Sequence, residues 1–132
     1  MPLVTSNPSE FHPIVSIGGA AQHLYTAAEH GIAITVPNGG NVQSNVLITA
    51  GYKAIAVGVK STQAGQISIQ RFLDEAGTIP QGAPVTAALV GGTAQVANVN
   101  DGAPFASFQV TITNSGGSPA TLSQLGVLAQ AA

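Results

Sequence analysis

Hydrophobic residues alternate with small or neutral polar residues along most of this chain. In FASFQVTITN (105–114), the apolar side chains of Phe108, Val110 and Ile112 fall on one side, and Gln and Thr fall on the other. In KAIAVGVK (53–60), Ile and Val alternate with Ala54, Ala56 and Gly58. A period of two predicts β-strands with one buried face. The small residues of 53–60 would let another surface approach the opposite face closely.

Further runs of the same kind predict additional strands, at 31–37, 41–50, 65–72, 84–90, 93–100 and 120–130. In 31–37, the alternation predicts that Ile32, Ile34 and Val36 share one face. Gly, Asn and Pro separate the runs, as expected at turns. Short strands at a spacing of about ten residues are typical of sandwiches and barrels. We therefore predict an all-β, jelly-roll-like antiparallel β-sandwich, with a single domain over 21–132.

Two segments have helical character. GGAAQHLYTAAEHG (18–31) is rich in Ala, although its QHLYT portion also fits a strand. RFLDEAG (71–77) is long enough for one or two turns that Gly77 would end.

The first twenty residues differ from the rest. Pro2, Pro8 and Pro13 lie among small polar residues, which predicts an extended N-terminal arm over 1–20. Such an arm lies either across a neighbouring subunit or over its own domain. The candidate assembly contacts of the arm are its apolar residues and the proline that follows them, namely Leu3, Val4, Phe11 and Pro13.

Charge is scarce in this sequence. Charged residues make up 6% of its 132 residues, against about 25% in an ordinary domain. Three basic residues cannot neutralise a nucleic-acid backbone, and no apolar run is long enough to span a membrane. A neutral surface with a net charge of −2 favours association. The alternative is a monomer that is hydrated by its Thr, Ser, Asn and Gln residues.

No residue pattern indicates catalysis. His23, Glu29 and His30 could hold a metal ion, but a spacing of seven aligns the two histidines only on a helix. The sequence has no HExxH motif, no GxSxG elbow and no cysteine. Asp74 and Glu75 fit a solvated turn, as does Asp101. We therefore expect no catalytic residue, no metal and no cofactor.

Two weaker possibilities concern binding. Sugar sites usually offer aromatic platforms, and Tyr25 and Tyr52 are the only amphipathic rings in this chain. Lys53, Lys60 and Arg71 could form a small cationic spot, or they could be single solvated charges at strand ends.

Two stretches carry a resemblance to a known class of proteins. GQISIQRFLDEAGTIPQGAPVTAAL (65–89) and NDGAPFASFQVTITNSGGSPATLSQLGVLAQ (100–130) resemble small jelly-roll virion proteins of tailed bacteriophages, of the capsid-decoration or head-fibre kind. The resemblance extends over roughly 31–130 and consists of uncharged strands, a turn and a late hairpin.

The resemblance implies a non-enzymatic homotrimer on the capsid surface, made in the host cytoplasm, with the major capsid protein as its partner. The alternative is a receptor-binding or glycan-binding module of a phage fibre or a bacterial surface structure.

Overall fold

The computed structural model describes residues 21–49 and 51–131. The predicted arm, with Leu3, Val4, Phe11 and Pro13, lies outside the described residues. The elements are one short helix and ten strands: β1 (Gln22–Leu24), α1 (Ala27–His30), β2 (Thr35–Val36), β3 (Asn41–Gln43), β4 (Leu47–Ile48), β5 (Ala54–Ser61), β6 (Gly65–Phe72), β7 (Val85–Leu89), β8 (Ala94–Val99), β9 (Ser107–Asn114) and β10 (Ala120–Gln130).

The strands form two antiparallel sheets. Sheet 1 has the order β1-β10-β5-β8, with β2 also paired to β10, and sheet 2 has the order β3-β9-β6-β7, with β4 also paired to β9. The chain crosses from one sheet to the other at most connections, as in a double-sheet jelly roll. This architecture confirms the predicted all-β sandwich.

The core lies between the sheets and consists of the apolar halves of the alternating strands. Val57 of β5, Ile67 of β6 and Phe108 of β9 are completely buried. Val127 of β10 is also fully buried, and the outward neighbours of these four residues are small or polar except Leu128. The long strands therefore follow the alternation that the sequence predicts.

The predicted helix over 18–31 is wrong for most of its described length. Residues 22–24 form β1, and only Ala27–His30 are helical. Thr26 begins α1 with a capping box, in which its side chain accepts from the Glu29 N–H and the Glu29 carboxylate accepts from the Thr26 N–H. Gly31 ends it at φ 65°. Pairing of β1 with β10 overrides the Ala-rich propensity.

Two other segments also differ from expectation. The helix predicted over 71–77 is absent, because Arg71 and Phe72 still belong to β6 and the following residues form turns. The strand predicted over 31–37 is reduced to Thr35–Val36, and Ile34 is 63% exposed rather than facing the core.

The strand predicted over 41–50 is broken into β3 and β4. Between them, the Asn45 N–H donates to the His30 carbonyl oxygen at 2.8 Å, which ties the chain to α1. Ser44 replaces part of the lost pairing, since its hydroxyl oxygen accepts from the Val110 N–H of β9 at 2.9 Å.

Candidate interaction surfaces

The outward side of sheet 1 carries an apolar patch of mostly small residues, bordered by Gln22, Gln130, Asn98 and Lys60. We call it the apolar face and define it by Leu24, Ala54, Ala56, Gly58, Val96, Gly126 and Leu128. Leu24, Leu128 and Ala56 stand side by side on β1, β10 and β5, and Gly126, Gly58 and Val96 form the next row. Lys60 is the only Lys, Arg, Asp or Glu in the strands of this sheet. This face confirms the small-residue surface that 53–60 predicts.

A depression of about 270 Å³ lies on the apolar face beside β8. Its floor includes Ala56 and Leu128, and its rim includes the amides of Asn98, Asn100 and Gln130. It offers hydrogen-bonding groups around an apolar floor, with no charged side chain.

The outward side of sheet 2 has a different chemistry. We call it the amide face, and it consists of Asn41, Gln43, Gln66, Ser68, Gln70, Thr86, Ala88, Gln109, Thr111 and Thr113. Every one of these side chains except Ala88 carries an amide or a hydroxyl group. Three of the amides are held by the protein, since Gln43 donates to Thr111, Gln109 donates to the Ser44 carbonyl oxygen, and Gln70 donates to the Arg71 and Gly82 carbonyl oxygens.

Tyr25 belongs to the core, not to a sugar platform. It is buried beside Phe108, with ring centroids 5.8 Å apart, and its hydroxyl donates to the Ile48 carbonyl oxygen at 3.0 Å. Burial raises the pKa of this hydroxyl. Tyr52 is half-buried against the same core. The idea that Tyr25 presents an exposed ring is therefore wrong.

His23 and His30, the histidines among the described residues, do not form one cluster. The His23 imidazole contacts the Glu29 carboxylate at 3.1 Å, and the Thr26 backbone N–H, together with His23, lowers the pKa of Glu29. His30 is buried, its Nδ1 accepts from the Ile32 N–H at 3.0 Å, and burial lowers its pKa. Within the part of the chain that the structure describes, no three His, Cys, Asp or Glu side chains converge as metal ligands would.

The basic residues do not form the cationic spot that the sequence allows. Arg71 is buried, and its guanidinium donates to both carboxylate oxygens of Asp101 at 2.7 and 2.9 Å. It also lies 5.5 Å from the centroid of the Phe105 ring. Arg71 lowers the pKa of Asp101 to about 2. Asp74 is a turn residue, because its carboxylate accepts from the backbone N–H groups of Thr78 and Ile79.

The two flanks of the sandwich, where the sheet edges lie, are built differently. On one side, β1, β2, β3 and β4 have two or three residues each, and we call this side the blunted flank. On the other side, β7 has five residues and β8 has six, and we call this side the open flank. No described strand pairs with the outer edge of β7 or β8.

No protein-family model matches the sequence, and no curated protein matches it significantly. Among solved structures, the chain is similar to PirA, with a TM-score of 0.48 and 10% identity over 83% of this chain and 92% of PirA. It is similar to the carbohydrate-binding module CBM4, with a TM-score of 0.43 and 10% identity over 83% of this chain and 86% of CBM4.

A third similarity involves part of a larger protein. It is a glycoside hydrolase family 43 arabinoxylan arabinofuranohydrolase from Bacillus subtilis, with a TM-score of 0.41 and 16% identity over 73% of this chain and 20% of the hydrolase. Similarities this distant assign neither a family nor a ligand to this chain. Across 21–49 and 51–131, no helix has the length and apolar character needed to cross a membrane.

Proposed function

We propose that this protein is a non-enzymatic structural protein of a virion, of the capsid-decoration kind, that binds the capsid surface through its apolar face. The observation that carries the proposal is the apolar face itself, where Leu24, Leu128 and Val96 surround Ala56 and Gly58. Contiguous exposed apolar surface marks a contact site in a folded protein. The resemblance to phage virion proteins supports a capsid shell as the partner.

The size of the face fits a useful contact energy. Because β1 has only three residues, the apolar face is about three strand spacings of about 4.8 Å wide and five residues long, which is roughly 240 Å². At about 25 cal/mol per Å², this area contributes at most about 6 kcal/mol before the cost of association is subtracted. Repetition of the contact over a shell would add avidity. Because the face holds so little charge, binding should be insensitive to salt.

Cosedimentation with the capsid shells of the virus that encodes the protein tests this proposal. Ala56→Glu places a charge at the centre of the apolar face and should abolish binding. Thr111→Glu places the same charge on the amide face and should leave binding intact. Equal binding by Ala56→Glu and the unaltered protein, or loss of binding in high salt, would contradict the proposal.

The arm belongs to the same proposal as a separate prediction. If Leu3, Val4, Phe11 and Pro13 contact the shell or a neighbouring subunit, removal of residues 1–13 should weaken shell binding and leave the fold intact. The trimer that the resemblance implies is not part of this proposal, because the uncharged edge of β8 at the open flank favours a two-fold contact.

A second candidate function is glycan binding through the amide face, as in a receptor-binding module of a fibre or bacterial surface structure. The observation that favours it is the set of neutral amide and hydroxyl groups on adjacent strands, such as Ser68, Thr86 and Thr111. Such groups can fix the hydroxyls of an uncharged sugar.

A glycan array followed by calorimetry tests this second function. Binding that is lost in Thr111→Glu and retained in Ala56→Glu would support it. A glycan array without signal above background would rule out this function for the glycans tested.

A further inference from the structure

We propose that the open flank is a docking site for a second copy of this chain, with β8 of one copy paired antiparallel to β8 of the other. The pairing would join the two copies of sheet 1 into one continuous sheet. The inference concerns the edge of β8, whose residue Val96 also belongs to the apolar face, and it stands whether or not the protein binds a capsid.

The edge of β8 lacks the features that keep exposed strands from pairing. Exposed edges are usually protected by charged side chains, proline, bulges or very short strands. Residues 84–100 contain no charged side chain, and neither β7 nor β8 contains proline. The pairing of β8 with β5 is regular from Ile55↔Val99 to Lys60↔Ala94, so no bulge bends the edge away.

The open flank also leaves apolar surface uncovered. Val85 and Ala87 of β7 point towards the core but are only half-buried. Val90 in the connecting turn and Val96 on β8 are each 54% exposed. A neighbour on this flank would complete the burial of the β7 side chains and cover both valines.

The charges of the chain favour an antiparallel second copy. Lys60 stands beside Ala94, at one end of β8. Antiparallel pairing places the two Lys60 side chains at opposite ends of the contact, whereas parallel pairing would bring them together. The remaining contact is neutral in both copies, so self-pairing brings no like-charge repulsion.

The geometry of the joined sheet follows from this symmetry. A two-fold axis perpendicular to the sheet keeps both apolar faces on the same side. The dimer would therefore present an apolar face of twice the width.

The expected dimer is weak. β8 is about 20 Å long, and a contact of that length across both sheets covers on the order of 400 Å² per copy. This is below the roughly 800 Å² per partner of a stable complex. The dimer should therefore form at micromolar or higher concentration and not persist on dilution.

Sedimentation equilibrium from micromolar to millimolar concentration tests the pairing on the full chain. In the register that centres the two-fold axis on the middle of β8, Val96 stands opposite its counterpart in the second copy, because outward residues pair with outward residues. Val96→Lys and Val96→Glu should each weaken the dimer at least about tenfold through repulsion. An equimolar mixture of the two variants should restore it, because Lys then faces Glu.

Leu24→Lys is the matched control, since Leu24 is an exposed apolar residue on the outer side of the same sheet but at the blunted flank. This variant should dimerise like the unaltered protein. A dimer that survives Val96→Lys, or a mixture that stays monomeric, would overturn β8 pairing. A concentration-independent trimer or a persistent monomer would also overturn it.

Hydrogen exchange separates a second copy from the chain's own N-terminal residues as the occupant. The backbone N–H groups of β8 that point away from β5 should exchange quickly in dilute protein and become protected as the protein concentration rises. Protection at every concentration would mean that the same chain covers the edge, and the proposal would be wrong.

Discussion

The two flanks of the sandwich differ in how far their edge strands are protected from pairing with another strand. At the blunted flank, four strands of two or three residues leave little edge to which another strand could add. At the open flank, β7 and β8 are unbroken and uncharged. Very short edge strands are a known protection against unwanted pairing. This difference is the basis of the proposal that the open flank pairs with a second copy of the chain.

At the blunted flank, specific hydrogen bonds fix the segments that connect the short strands. The Tyr25 hydroxyl bonds the Ile48 carbonyl oxygen and so connects the end of β1 to β4. Asn45 bonds the carbonyl oxygens of Glu29 and His30, which fixes the loop between β3 and β4 to α1. The open flank has the Arg71–Asp101 pair just beyond the end of β8. We therefore expect substitutions at the blunted flank to lower stability and those at the open flank to change association.

The largest effect is expected at Tyr25. Tyr25→Ala removes a buried ring from the blunted flank and should lower the free energy of unfolding by about 3 to 5 kcal/mol. Tyr25→Phe keeps the ring and should cost only about 1 kcal/mol for the hydrogen bond to Ile48. Urea denaturation measures both. Equal losses in the two variants would mean that the hydroxyl, not the ring, holds the flank.

A smaller loss is expected at Gly31. A Cβ there would lie 2.8 Å from the Asn45 Nδ2, and the residue has φ 65°. Gly31→Ala should therefore cost about 1 to 2 kcal/mol through backbone strain, with a further loss from the displaced Asn45. Gly39→Ala is the control, because Gly39 has φ 70° and nothing within 4 Å of its Cβ. If thermal unfolding shows the same loss of stability in Gly31→Ala and Gly39→Ala, the contact with Asn45 does not contribute to the loss at Gly31.

As the pH falls, the blunted flank should lose stability before the open flank does. Burial lowers the pKa of His30 in the folded state, so the unfolded chain binds the proton more tightly. Neutral His30 makes its whole contribution to the free energy of unfolding at pH values above its unfolded pKa of about 6.5. It is lost as the pH falls from there through the lower folded value.

Hydrogen exchange between pH 7 and pH 5 would detect this loss, after correction for the intrinsic rate. Amides around α1 and β4 should lose protection, whereas those of β8 should not, because 84–100 contains no titratable side chain. His30→Gln should flatten the response. Equal loss at both flanks would show that His30 acts on the whole fold.

The smallest stability effects are expected from the two lysine variants. Leu24 and Val96 are 64% and 54% exposed, so Leu24→Lys and Val96→Lys should each change the free energy of unfolding by less than about 0.5 kcal/mol. They should differ in association alone, because only Val96 lies on the open flank. A large stability loss in either variant would show that the side chain is packed in the monomer.

Alternation alone predicts the long strands, because each has one face in the core. β6 matches its predicted run of 65–72, β5 and β9 differ from theirs by one or two residues, and β10 matches 120–130. Three of the four failed predictions, over 18–31, 31–37 and 41–50, lie at the blunted flank, and the fourth is the helix predicted over 71–77 after β6. At the blunted flank, the pairing of β1 with β10 and the contacts of Asn45 with α1 depend on residues distant in sequence.

The candidate surfaces are predictable to different degrees. Ala54, Ala56 and Gly58 indicate a close-approach face from their spacing alone. The contributions of Leu24 and Val96 to that face depend on strand order, which no local pattern determines. The same holds for the open flank, since a sequence run does not show whether its strand lies at an edge.

The position of β10 in sheet 1 affects how the molecule is made. This strand is the last of the described strands in sequence, yet it lies between β5 on one side and β1 and β2 on the other. A ribosome that has delivered everything up to residue 119 has therefore produced two halves of a sheet without the strand that joins them. We expect closure of the sandwich to wait until β10 has been made and to be slow, as is usual where pairing partners are far apart in sequence. During synthesis, β5 is left with an unpaired inner edge, so nascent chains should depend on chaperones more than the charge-poor mature surface would suggest.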